Sequence, residues 1–214
     1  MIAGRWTVRT PLLAAALVTI AGFVGPAAAH HPTGGRMPAN IVEGFLSGVG
    51  HPVIGPDHLA FIVAIGIAAA LTPIGARLIA AFVAASLAGV LVHAGRLDIP
   101  LSEQVVALSV VAAGAMLAIG RAGSGPLWLA LGTVAGLFHG YAFGEAIVGA
   151  ERGVIGAYLA GITAIASIVA AAFMILTPRF IAPTTAEAPV RLRKLGAIVA
   201  CIGVVMLAGG FVTG

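Results

Sequence analysis

Apolar residues run along this chain in blocks too long for a strand's alternation and too unbroken for a narrow amphipathic stripe. Windows of about 18 to 22 such residues, the length that crosses a bilayer's hydrocarbon, fall at Val53–Leu71, Ala76–Gly95, Ser102–Gly120, Pro126–Val148, Gly153–Thr177 and Leu195–Val212. Glycine, proline or charge bounds each one: Thr72-Pro73, Arg96 to Pro100, Arg121 to Gly125, Gly149 to Arg152, and the longer stretch 178–194. The pattern predicts an all-α polytopic membrane protein with six transmembrane helices. It leaves no room for a soluble domain.

Composition agrees. Only 8% of the 214 residues are charged and 60% are hydrophobic, whereas a soluble domain carries about 25% charged residues. The formal net charge of +4 does not point to nucleic acid, because the 11 Lys and Arg are scattered between apolar stretches rather than gathered on a face. Cys201 is the single cysteine, so neither an intramolecular disulfide nor a multi-cysteine metal site can form.

At the N-terminus, Arg5 and Arg9 precede an apolar run from Pro11 to Val24, then Gly25-Pro26-Ala27-Ala28-Ala29. This order matches a secretory signal with an A-x-A cleavage site. It predicts a cleaved signal over 1–29, an external N-terminal segment with a half-helix over 30–52, and a six-helix membrane domain over 53–214. Cleavage after Ala29 starts the mature chain at His30-His31-Pro32. Cleavage after Ala27 would instead expose Ala28-Ala29-His30, whose amine, amides and imidazole suit square-planar Cu(II) or Ni(II). With the mature N-terminus outside, the inner loops hold Arg77, Arg121, Arg179, Arg191, Arg193 and Lys194, and the outer segments hold only Arg36, Arg96 and Arg152. That distribution obeys the positive-inside rule. Glu43, Asp98, Glu103 and Glu151 fall outside, where an acidic rim concentrates cations.

An ionisable side chain at membrane depth costs several kcal/mol or more unless it has a partner, which makes each one a candidate for function. The candidates are His51, Asp57 and His58 around the start of the first span, His93 at the end of the second, and His139 and Glu145 in the fourth. Two prolines and two glycines interrupt Gly50-His51-Pro52-Val53-Ile54-Gly55-Pro56-Asp57-His58, so no regular helix is expected through it. A half-helix over Ala39–Gly50 and a second helix opening on Pro56 are predicted. The broken backbone between them must lie in protein or line a cavity. In the fourth span, Gly132, Gly136, Gly140 and Gly144 place a small residue at every fourth position, a ridge that lets another helix approach closely.

The alternating directions of the spans put Asp57, His58, His139 and Glu145 in the outer half of the membrane. Imidazole with carboxylate and no thiolate suits Ni²⁺, Co²⁺, Zn²⁺ or Mn²⁺. Plainer roles stand beside this one: a lone histidine bonded to a carbonyl, His93 among headgroups, His30 and His31 in a tail, the glycine ridge as helix packing. The six spans can also be divided three plus three, with a histidine-bearing helix opening each half in opposite directions, an inverted-repeat pattern known in transporters.

These residues resemble the HupE/UreJ family of nickel and cobalt permeases. The first-span motif H-P-x-x-G-x-D-H is matched completely by His51-Pro52-Val53-Ile54-Gly55-Pro56-Asp57-His58. The second, F-H-G-Y-A-[HFY]-G-E-[AS]-I-V-G-A-E, is similar to the stretch from Phe138 to Glu151, with Phe143 where some members have a second histidine. The resemblance implies secondary uptake of Ni²⁺ or Co²⁺ across a bacterial inner membrane, with the metal as substrate and no prosthetic group. It further implies that His51, Asp57, His58, His139 and Glu145 handle that metal.

The expected route begins with capture at the outer mouth by some of His30, His31, His51 and Glu43. Partial dehydration between the first and fourth spans follows, then release inward. No G-x-x-x-x-G-K-[ST] motif is present, and the expected partners are the cation and the bilayer, with the oligomeric state left open. Three rival readings are weighed. An intramembrane metallohydrolase lacks H-E-x-x-H; a haem protein would use His58, His93 and His139; a metal sensor or accessory subunit would bind without transport. Imidazole must be neutral to ligate, so metal uptake is expected to weaken as external pH falls through about 6.5. Uptake measured at constant free metal and membrane potential checks this, and a flat rate between about pH 7.5 and 5.5 counts against histidine ligation.

Overall fold

A computed structural model of the chain describes residues 36–120, 123–180 and 188–213. The predicted signal, His30, His31, Arg121 and Glu187 lie outside the described residues. Regular structure among the described residues is helical: α1 (Ile41–Ile54), α2 (Pro56–Leu71), α3 (Ala76–Ala94), α4 (Ser102–Ala118), α5 (Gly125–Gly144), α6 (Arg152–Phe180) and α7 (Ala188–Thr213). A short 3-10 turn, Glu145–Ile147, extends α5.

Four of these helices, α3, α5 with its turn, α6 and α7, are long and apolar enough to cross a membrane. The pair α1–α2, bent by 81°, makes a fifth if taken as one broken span. Helix α4 has 17 residues, about 26 Å at 1.5 Å per residue, slightly short of a hydrocarbon core of about 30 Å. Each predicted window thus meets a helix. Helix α7 starts well before the expected Leu195, because Pro189 is tolerated in a first turn and Arg191, Arg193 and Lys194 are good helix formers.

The break in the first motif is narrower than the sequence suggested. Helix α1 continues through His51 and Pro52 to Ile54, and Gly55 alone leaves the helix, at φ −75° and ψ 109°. The half-helix therefore does not stop at Gly50 but runs on to Ile54. Pro52 withholds its N–H and crowds the carbonyl four residues before it, yet α1 runs through it; the chain leaves the helix only where a second proline follows. Pro56 disfavours helical backbone in the residue before it and opens α2 as its first residue.

Close backbone contacts set the helix positions. Helix α3 packs chiefly on α5, α4 on α7, and α1 and α2 both on α6. The glycine ridge of α5 lies on α3 in register: Gly132 meets Leu78, Gly136 meets Phe82, Gly140 meets Ser86 and Gly144 meets Val90 and His93. Residue numbers rise together on both helices, so they run parallel. A Cβ at Gly136 would stand 2.7 Å from the Phe82 carbonyl oxygen, and one at Gly140 would overlap the Ser86 carbonyl. Leu78, Phe82, Phe61, Ile65, Leu117 and Trp128, all fully buried, fill the core beside this seam.

Gly140→Ala is expected to lower the protein's thermal midpoint in detergent despite alanine's better helix propensity, because overpacking costs about 1–3 kcal/mol against a propensity gain of about 1. Gly156→Ala, at a helical site where a Cβ meets nothing within 4 Å, is expected to leave the midpoint unchanged or raised. A destabilised Gly156→Ala with an unaffected Gly140→Ala would refute the parallel seam.

Candidate metal site at the helix break

Helix ends bring chemistry to one end of the bundle. Tyr158 of α6, His139 of α5 and Ser109 of α4 lie about 9, 8 and 10 Å from the nearer ends of their helices at 1.5 Å per residue. They are therefore at similar depth, roughly a third of the way into a core of about 30 Å. His51 and His58 join them from either side of Gly55. Arg77, Arg179, Arg191, Arg193 and Lys194 sit at or near helix ends of the opposite side.

Three of the predicted histidines are gathered here and all are buried, His139 completely. His58 Nδ1 lies 2.8 Å from His139 Nδ1, and His139 Nε2 lies 3.0 Å from Ser109 Oγ. The His51 and His58 rings face each other edge-on with centroids 6.0 Å apart. His51 Nδ1 lies 2.8 Å from the Tyr158 hydroxyl, which donates to the Phe143 carbonyl at 2.6 Å. The Phe143 ring, fully buried, touches both imidazoles, at 5.3 Å from His51 and 4.5 Å from His58 between centroids. Phe61 stacks on His139 at 4.5 Å.

Gly55 makes room for this grouping. A Cβ there would stand 2.6 Å from His58 Cδ2 and 3.3 Å from Asp57 Oδ1. Half-buried Asp57 accepts the His58 backbone N–H at 2.8 Å, in the first turn of α2, where the helix's positive end favours a carboxylate.

His93, Glu43 and Glu145 stand outside the three-histidine contact, although Glu145 is close enough to Tyr158 to act on it electrostatically. His93 donates or accepts through Nδ1 at the Tyr141 carbonyl, 2.7 Å away; since a carbonyl only accepts, Nδ1 is the donor. Its ring stacks on Tyr141 at 4.1 Å, and the Tyr141 hydroxyl accepts from the Ile99 N–H at 2.9 Å and reaches Asp98 at 3.4 Å. This group ties the α3–α4 loop to α5, the plainer role weighed for a lone histidine. Glu145 is exposed in the turn after α5. Glu43 is used in a capping arrangement: its carboxylate accepts from Ala39 N and Asn40 Nδ2, each at 3.0 Å, while Asn40 Oδ1 caps the Glu43 N–H at 2.9 Å. Among the described residues, no three His, Cys, Asp or Glu side chains already converge as a metal cage.

Sequence reasoning missed Ser109 and Tyr158, and also Ser47, whose buried Oγ has no hydrogen-bond partner among the described residues. Ser47 stands one helical turn before His51, a spacing that shares a face, and that spacing was the available signal. Ser109 and Tyr158 gave none, since one hydroxyl within an apolar span is ordinary.

A protein-family model described as HupE / UreJ protein matches residues 17–206, most of the chain. No curated protein and no solved structure gives a match.

The ring positions lead to a test. Imidazoles bound to one metal at about 2.1 Å have centroids separated by distances like those Phe143 already makes to His51 and His58. Phe143→His is expected to tighten Co²⁺ binding about tenfold, or ~1.4 kcal/mol, at a cost in thermal stability from burying a polar ring. Titration calorimetry reads the affinity; an unchanged value would show that His51 and His58 do not converge on one ion.

Proposed function

The chain belongs to the HupE/UreJ family, and on that footing we propose that it is a secondary permease for Ni²⁺ or Co²⁺ in a bacterial inner membrane, its N-terminus outside. The membership supports a membrane protein connected with nickel and cobalt transport rather than an enzyme. The observation that carries the finer reading is the contact of His51, His58 and His139 at the broken helix, in a chain with only 8% charged residues.

In this reading the metal passes between the helix break and α5, handled by His51, Asp57 and His58, with His139 contributed from α5 and Glu145 from the turn after it. His30 and His31 belong to the approach from outside. Conduction needs binding strong enough to enter and weak enough to leave, so a partial ligand set completed by water serves better than a closed cage. The inward drive is the membrane potential, worth about 2.3 kcal/mol per charge per 100 mV and hence roughly 4.6 kcal/mol for a divalent ion. The six-span count and the three-plus-three division belong to the same proposal, with α4 as the span that α7 completes by packing along it.

Uptake of ⁶³Ni and ⁵⁷Co into proteoliposomes, comparing wild type with Asp57→Ala and His58→Ala, tests the proposal. Metal-selective uptake that falls at least tenfold in both folded variants is expected. Absent uptake, with stoichiometric metal binding lost in the same variants, would replace the permease with a sensor or accessory subunit.

A further inference from the structure

A buried imidazole between two partners has one proton to place, and the partners decide where it goes. The Ser109 hydroxyl lies 2.6 Å from the Val106 carbonyl oxygen and 3.0 Å from His139 Nε2. A carbonyl cannot donate, so the single hydroxyl proton points to Val106, and Ser109 Oγ accepts from an N–H on His139 Nε2. A neutral His139 protonated at Nε2 has its lone pair on Nδ1. Across the 2.8 Å contact, His58 Nδ1 must then be the donor, and the lone pair of His58 is on Nε2. The same reasoning holds on the other side. The Tyr158 proton goes to the Phe143 carbonyl at 2.6 Å, so the hydroxyl accepts from His51 Nδ1–H, and the His51 lone pair is also on Nε2.

We infer that Ser109 and Tyr158 are positioning residues: two hydrogen-bond relays, each ending on a backbone carbonyl, set His51 and His58 to present Nε2 to a divalent cation, with His139 acting on the cation only through His58. The inference rests on the permease reading and deepens it, since it moves one expected ligand behind the metal and adds two side chains that no motif contains. Histidines that bind metals commonly donate the other ring N–H to such a partner, which fixes the tautomer and the ring plane, and losing the partner weakens binding about 10–100-fold. The relays come from α4 and α6, so none of the three helices bearing the two motifs, α1, α2 and α5, supplies either hydroxyl. His139 is entirely buried with both ring nitrogens engaged inside the protein, which suits a residue that transmits orientation.

The test is ¹⁵N magnetic resonance of the full-length, ¹⁵N-histidine-labelled, metal-free protein in nanodiscs at a pH where imidazole is neutral, with signals assigned from His51→Asn and His58→Asn. The expected wild-type spectrum shows His51 and His58 protonated at Nδ1 and His139 at Nε2. Ser109→Ala is expected to move His58 toward the Nε2–H form and weaken Co²⁺ binding about tenfold. Ser109→Thr is expected to restore both, and Tyr158→Phe to alter the His51 signal alone. Nε2–H on His51 or His58 in the wild type, or a His58 signal indifferent to Ser109→Ala, would overturn the relays even if uptake were normal. The expected tautomers without any Co²⁺ or Ni²⁺ binding would overturn the permease reading and the positioning role with it, leaving the hydrogen-bond directions standing.

Discussion

Two buried imidazole nitrogens 2.8 Å apart can share one proton between them and no more. With none, two lone pairs repel; with two, two donors do. The contact between His58 and His139 therefore demands a defined proton arrangement, and the demand passes outward until it meets a group that can only accept. Here that group is the Val106 carbonyl, reached through Ser109. Helices α2, α5 and α4 are consequently joined by a chain of bonds whose direction is fixed at its far end. An uncompensated polar group in this setting costs about 1–3 kcal/mol, so the arrangement also selects how these helices sit.

The apolar frame is what brings the ring nitrogens to hydrogen-bonding distance. His139 follows Gly136 and precedes Gly140, where α5 lies against the Phe82 and Ser86 carbonyls of α3. That seam fixes the axial position and rotation of α5, and so the level at which His139 projects toward Phe61 and His58. On the other side, α1 and α2 both lie along α6, with Gly48 against Tyr158 and Gly66 against Ala170. The 81° bend at Gly55 lets one continuous chain present His51 from α1 and His58 from α2 to the same space.

Helix positions were legible in the sequence because a bilayer requires long apolar runs, and the six windows each met a helix. The break was legible in kind and misjudged in width: Pro52 and Pro56 look equivalent in a sequence, but α1 runs through Pro52 and the chain leaves the helix at Gly55, where a Cβ would stand 2.6 Å from His58 Cδ2. The gathering of His51, His58 and His139 followed from ionisable groups being rare. The carboxylates were harder, since Glu43 serves a helix start and Glu145 faces outward, uses that depend on local capping and on where α5 ends. Ser109 and Tyr158 were not legible, because hydroxyls in apolar helices satisfy themselves on nearby carbonyls and carry no periodic signature. His30 and His31 lie outside the described residues.

Phe143 joins the two levels of this site. Its ring touches both His51 and His58. Its carbonyl takes the Tyr158 proton that orients His51. The first contribution depends on the side chain and the second does not, so a change of residue here alters how many groups can reach the metal while leaving the tautomer of His51 unchanged. In the proposed site, ligand number and ligand orientation are thus separable at one position.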